Sequence, residues 1–271
     1  MVESQDYRPF HLSELNSALA TLEAHNGGMK KAKRFYSTSL IDPSENAIAQ
    51  AAWLGRNHDE LLWTPLESNR LQSSEANAWA ALRDGRWTAA LSLASQWQAE
   101  EPFSSRPAIL GGYIASTAFE NFNEAERMIC QGLVSNSDDA MLHNNLAFVL
   151  AKQGKIDRAK KAVEFGIHQK PDLCAKVCLT ATQGLIAFRS EHPEEGRMLY
   201  ILAINIAKSN QLDEFCYLAT IHRAIEEIRI GSKYAMTLFQ EGLDACEKLS
   251  HALPSLFRDK LHNAMLNKPH S

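Results

Sequence analysis

Residues 139–172 read DAMLHNNLAFVLAKQGKIDRAKKAVEFGIHQKPD, and the spacing of apolar positions predicts two amphipathic helices. Leu146, Ala147 and Leu150 recur on one face of the first, and Ala159, Val163 and Gly166 on one face of the second. Gln153-Gly154-Lys155 supplies a tight turn between them, and Pro171 stops the second helix because it has no amide hydrogen to continue the ladder. A lone hairpin of this kind cannot bury both of its apolar faces, so neighbours of the same kind are expected on either side.

Working outward, small residues recur at a nearly constant interval. Ala90, Ala125, Ala159, Gly196 and Ala235 are separated by 35, 34, 37 and 39 residues, so the period lengthens toward the C-terminal end. The reason for small residues is steric: where two helices cross closely, alanine or glycine lets the backbones approach while a larger neighbour fills the groove. Before Ala90 stand Ala78, Ala81 and Gly85, and after it Ala94 and Pro102, although Trp97 occupies a position where a small side chain is usual. Gly132 closes the next unit, in which Tyr113 takes a small-residue position with Gly112 just before it. Gly184, Ala187, Tyr200 and Ala203 mark another, and Phe239 and Gly242 a looser one. The order and spacing of these residues resembles the tetratricopeptide repeat, a helix–turn–helix unit of about 34 residues. The resemblance implies an all-α fold, a right-handed superhelical solenoid of TPR-like helix-turn-helix repeats, best defined over 74–208. An alanine-rich helical bundle is the plainer alternative.

The flanks are less regular. Residues 1–11 show no periodicity and are expected to be disordered. Leu15, Leu19 and Leu22 predict a helix ended by Asn26-Gly27-Gly28, and Ala32, Tyr36 and Leu40 a second one, so 12–41 forms a first repeat. Asp42-Pro43-Ser44-Glu45 starts a further helix, with Asp42 expected to cap it and Pro43 at its opening position. The 58 residues between Ala32 and Ala90 fit neither one repeat nor two, so 42–73 is read as a degenerate helix and an irregular connection. Ser104 or Ser105 is expected to cap the helix that begins near Pro107. A divergent repeat and a C-terminal capping helix, about Pro254 to Leu266, fill 209–271, so that 12–271 is expected to be a single solenoid.

Composition excludes some classes. The chain has 271 residues, 45% hydrophobic and 22% charged, with a net charge of −4, which speaks against bulk affinity for nucleic acid. The start, MVESQDYRPF, does not read as a secretory signal, and the longest apolar run, Met198 to Ala207, is about half a membrane span. Five cysteines without a framework spacing fit a reducing, cytoplasmic setting.

In the repeats that the sequence resembles, the first helix of each unit lines a concave groove, and a few positions on it contact the ligand. Carried onto this chain, the resemblance implies partner contacts from Glu75, Trp79 and Arg83, from Asn144, Asn145, Phe148 and Lys152, and from Leu185 and Arg189. Asparagine amides pair with the donors and acceptors of an extended peptide, and Trp79 and Phe148 add apolar area. The pattern that holds a chaperone's terminal carboxylate is incomplete: Asn145 matches, but Glu75 stands in place of a lysine and would repel the ligand. The expected role is thus a non-catalytic scaffold for a protein or peptide segment, without cofactor or metal, not membrane-bound, with self-association open.

Two alternatives stay on the page. Lys30, Lys31, Lys33 and Arg34 put four cations on about one helical turn, a patch that could meet phosphates. The segment EPFSSRPAILGG at 101–112 resembles a stretch of bacterial repeat proteins sometimes joined to a nuclease domain, which gives the reading of an accessory subunit in a nucleic-acid-associated nuclease or defence system. A helical enzyme would draw on His58, Asp59 and Glu60, or on Cys174, Cys178 and His168, yet no nucleophile elbow, phosphate loop or zinc-protease motif accompanies them.

Overall fold

The computed structural model describes residues 12–41, 43–61 and 74–268. Among these are fourteen α-helices and no strand. In chain order they are α1 (Ser13–His25), α2 (Met29–Ser39), α3 (Glu45–Asn57), α4 (Ser74–Arg83), α5 (Trp87–Glu100), α6 (Arg106–Thr117) and α7 (Phe122–Ser135). There follow α8 (Ala140–Lys152), α9 (Ile156–His168), α10 (Leu173–Arg189), α11 (Pro193–Ser209), α12 (Asp213–Arg229), α13 (Ala235–Cys246) and α14 (Leu253–Leu266). The chain divides into two compact units, Met1–Asn77 and Ala78–Ser271.

In the first unit α1 packs on α2 and α3. The face it buries differs from the one the leucines predict: Ala20 and Ala24 meet Ala32, Tyr36 and Leu54, while Leu15 and Leu22 lie exposed. Small side chains win this face because they let three helices approach one another closely. The cap of α3 also differs from expectation. Ser44, in extended backbone, accepts a hydrogen bond from the Ala47 amide at 3.2 Å, donates through its hydroxyl to Glu14, and donates its own amide to the Ser13 hydroxyl oxygen. Asp42 lies outside the described residues, as does the part of the irregular connection from 62 to 73.

In the second unit the helices pack as adjacent pairs. Hairpins α6–α7, α8–α9, α10–α11 and α12–α13 each pack internally, the second helix of each touches the first helix of the next, and the first helices α6, α8, α10 and α12 also touch in succession. The small-residue positions are where backbones meet: Ala90, Ala125, Ala159 and Ala235 are buried, and a Cβ on Gly184 would come within 3.0 Å of the Gly196 carbonyl oxygen. Trp97 is enclosed among Ala78, Ala81, Ala90 and Ala94, so the indole fills the space those alanines leave. In α6 the close approach uses Gly111 and Gly112, where an added Cβ would strike Met128 and Ile129, and this turns Tyr113 away toward the first-helix face. Ser105 precedes α6 without a side-chain cap bond.

Each hairpin turn holds one residue in the left-handed conformation. After Glu120 the Asn121 amide reaches six positions back, to Ala115; after Gly27, Gly85, Gly154, Glu191 and Gly231 the next residue donates its amide to the carbonyl five positions back. This is the Schellman closure, which satisfies otherwise orphaned carbonyls at a helix end. The last helix then reaches back across the unit. Ala252 sits so close to Gly85 that a Cβ there would come within 2.9 Å, Lys260 of α14 pairs with Glu120, and Trp87 and Tyr113 pack against the cluster around Phe257 and Leu261.

Candidate functional site

The first helices α6, α8, α10 and α12 surround a partly enclosed cavity of about 320 Å³. Each contributes because residues three and four apart share a helix face. Tyr113 comes from α6, Asn144, Asn145 and Phe148 from α8, Cys178 and Ala181 from α10, and Ala219 and His222 from α12; the buried Tyr200 ring of α11 backs it. The space exists where Ala181 and Ala219 stand opposite larger rings. Among the described residues no charged side chain lines it.

The polar groups on this surface are arranged with care. Asn144 is buried; its Oδ1 accepts the Thr182 hydroxyl at 2.8 Å and its Nδ2 donates to Asn145 Oδ1 at 3.1 Å, which fixes both amides. Burial pushes the Tyr113 phenol well above its ordinary range, with Glu214 and Cys178 adding to the shift, so the hydroxyl stays protonated. Burial likewise raises the Cys178 thiol to about 12, which leaves it an inert, small apolar group. His222 is held neutral: burial above all, with Lys152 and Lys260, brings it down to about 3 against the opposing pull of Glu226.

Beyond His222 lies a buried ion cluster. Glu226, 1% exposed, receives Lys152 at 3.2 Å, Arg189 through two nitrogens at 2.9 and 3.0 Å, and Arg229 at 2.8 Å. Burial alone would raise this carboxyl, but the three cations outweigh it and bring it down to about 2. A second buried carboxylate, Glu227, takes the Arg197 guanidinium on both oxygens, at 2.6 and 2.9 Å.

The expected contact residues therefore fall into separate places. Asn144, Asn145 and Phe148 come together on the cavity. Lys152 and Arg189 are engaged by Glu226, a carboxylate of the chain itself, and Leu185 is enclosed in the core at 1% exposure. In α4 of the second unit Trp79 is exposed, at 41%, and Arg83 stands in the last turn; Glu75, in the first unit, is buried. Tyr113 as a cavity wall and Ala181, which the sequence did not single out as site residues, complete the lining, and Glu226 anchors the ion cluster beside it. His222 and Glu226 share a face one turn apart, a signal visible in the sequence but too common to carry weight.

On α2, Lys31 lies 3.6 Å from Glu23 and Lys33 3.2 Å from Glu60, both lysines exposed, so two of the four patch cations already face acids. Lys30 and Arg34 share the same helix. That pairing also takes up one member of the His58, Asp59, Glu60 group. Among the described residues no group of three or more histidine, cysteine or acidic side chains is placed to hold a metal, and no helix is long and apolar enough to cross a membrane. A comparison with models of known protein families finds no match for the chain, and a comparison with curated proteins finds none.

Proposed function

We propose that the chain is a tetratricopeptide-like repeat protein whose role is recognition rather than catalysis, and that it binds an extended segment of a partner protein or peptide with an apolar side chain of that segment seated in the first-helix cavity. The right-handed winding of such repeats, and residence in the cytoplasm, belong to the same reading. One observation carries it: four successive first helices, bearing Asn144, Asn145 and Phe148, leave about 320 Å³ of uncharged space on a shared face. That volume is at the small end of the range of pockets that accept ligands, about 300–1,000 Å³. Asn145, anchored by Asn144, is set to meet the backbone of an extended segment.

The test is selection from a random peptide library displayed on phage, run in parallel on the wild-type protein and on Ala181→Phe, which fills the cavity. Enrichment of a common motif with an apolar anchor on the wild type, absent on the variant, is the expected result. No convergent motif on either protein overturns the reading.

A further inference from the structure

Resting on that reading, we infer that the cavity selects an uncharged aromatic anchor able to donate a hydrogen bond, the chemistry of a tryptophan side chain. The walls carry the first part. Tyr113, Phe148, Tyr200, Phe215 and the neutral ring of His222 all face the space, and aromatic rings meet one another in offset or edge-to-face contacts that add to plain area burial. Phe148 and His222 already meet in this way, with centroids 5.5 Å apart.

Charge carries the second part. Among the described residues the lining has no ionised group. The cations just beyond it are held by the chain's own acids, Lys152, Arg189 and Arg229 by Glu226 and Lys260 by Glu120. A carboxylate or ammonium anchor would lose its hydration and find no counter-charge within the cavity, which excludes both.

Polar groups carry the third. Within the described residues the Tyr113 hydroxyl and the Asn145 Nδ2 make no hydrogen bond, whereas Asn145 Oδ1 and both ends of Asn144 and Thr182 are satisfied. The phenolic oxygen and the bare nitrogen of the neutral His222 ring are acceptors on the wall, and an indole N–H is a donor only. Leucine or methionine would displace water from these acceptors without replacing its hydrogen bond, which costs affinity.

The experiment uses the full chain and neutral fragments, followed by ligand-observed NMR titration: N-acetyl-tryptophanamide, N-acetyl-phenylalaninamide and N-acetyl-leucinamide. Tryptophanamide is expected to bind the wild type at least roughly threefold more tightly than leucinamide, and to lose about tenfold or more on Ala181→Phe. Tyr113→Phe keeps the shape of the wall and removes the phenolic acceptor, so it should weaken tryptophanamide while leaving phenylalaninamide unchanged, a result that stands even if Ala181→Phe does not fold. Leucinamide binding as tightly as tryptophanamide, or equal effects of Tyr113→Phe on both aromatic fragments, overturns the aromatic assignment. Should peptide selection at the same time return a motif with an aliphatic anchor, the recognition reading survives that failure; should selection return nothing and no fragment bind, both fall. Native mass spectrometry that finds a small molecule retained in stoichiometric amount, lost on Ala181→Phe, overturns the inference in favour of a free ligand.

Discussion

Phe148 of α8 and His222 of α12 stack edge to face at 5.5 Å, and His222 in turn stacks on Phe257 of α14 at 5.6 Å. Phe148 and His222 line the uncharged cavity, and Lys152 of the ion cluster around Glu226 stands 5.6 Å from the Phe148 centroid. The line of three rings also ties the first helices α8 and α12 to the last helix, α14, so the state of one imidazole bears on the packing of the unit.

The sign of its pH dependence follows from that burial. Above about pH 6.5 the ring is neutral whether the chain is folded or not. Below it the unfolded chain takes up a proton, while the folded chain resists until about pH 3, because burial, Lys152 and Lys260 oppose the charge more strongly than Glu226 favours it. Stability should therefore fall as pH drops from 6.5, by up to about 1.4 kcal/mol per unit. Urea unfolding at pH 7.5 and 5.5 should show a loss of about 1 kcal/mol in the wild type, and a smaller loss in His222→Gln. Equal losses in both would show that the imidazole is not held neutral.

Glu226→Gln should be among the most damaging single changes that preserve shape. It leaves Lys152 and Arg189 without a counter-charge in sites 17% and 23% exposed, although Arg229, 39% exposed, can turn to water. Breaking one side of a buried charge network costs on the order of 3 kcal/mol, which corresponds to roughly 6–12 °C in Tm for a unit of this size. Because the carboxyl is brought down to about 2 from 4.5, its contribution is intact at neutral pH and is lost as pH falls between those values. A melting temperature within a degree or two of wild type would contradict the network's role.

The α10–α11 crossing gives a steric test. A Cβ on Gly184 would sit 2.8 Å from the Tyr200 ring and 3.0 Å from the Gly196 carbonyl, and backbone cannot yield as a flexible side chain can. Gly184→Ala should cost about 1–3 kcal/mol. Since Tyr200 backs the cavity, the same substitution should weaken peptide capture beyond its effect on stability. The comparison is made well below the melting point, where both proteins are folded.

How legible was this in the sequence? The hairpin at 139–172 and the small-residue period were, because glycine and alanine at a close helix crossing leave a trace that side-chain counts can follow. The cavity was legible only in part. Asn144, Asn145 and Phe148 lie on a face that helical spacing reveals, but the space beside them is made by Ala181 and Ala219, and alanine in this chain otherwise marks tight packing. The fate of Lys152 and Arg189 was not legible, since their partner Glu226 is 74 and 37 residues away and nothing local signals a carboxylate buried by helices two hairpins on. On α1 the leucine spacing pointed to the wrong face, because Ser13, Asn16 and Ser17 are buried with the alanines and look polar to any periodic reading.

The turns supply the last prediction. Of the nine left-handed residues among those described, four are glycine, and the glycines punctuate the sequence openly; among the hairpin turns Glu120 and Glu191 hold the same conformation at φ 50° and 63° and conceal their turns. A side chain in this region costs roughly 1–2 kcal/mol through the clash of Cβ with the following carbonyl, while glycine gives back about 0.4–1 kcal/mol of unfolded-chain entropy. Glu120 has a compensating partner in Lys260, so replacing it would remove an ion pair as well. Glu191 is exposed, and no ion pair holds it among the described residues. Glu191→Gly should therefore raise stability by about 0.5–1 kcal/mol, seen as a higher urea midpoint at unchanged slope, and Glu120→Gly should gain less or nothing. A lower midpoint for Glu191→Gly would mean that the turn is held by contacts of the glutamate rather than strained by it.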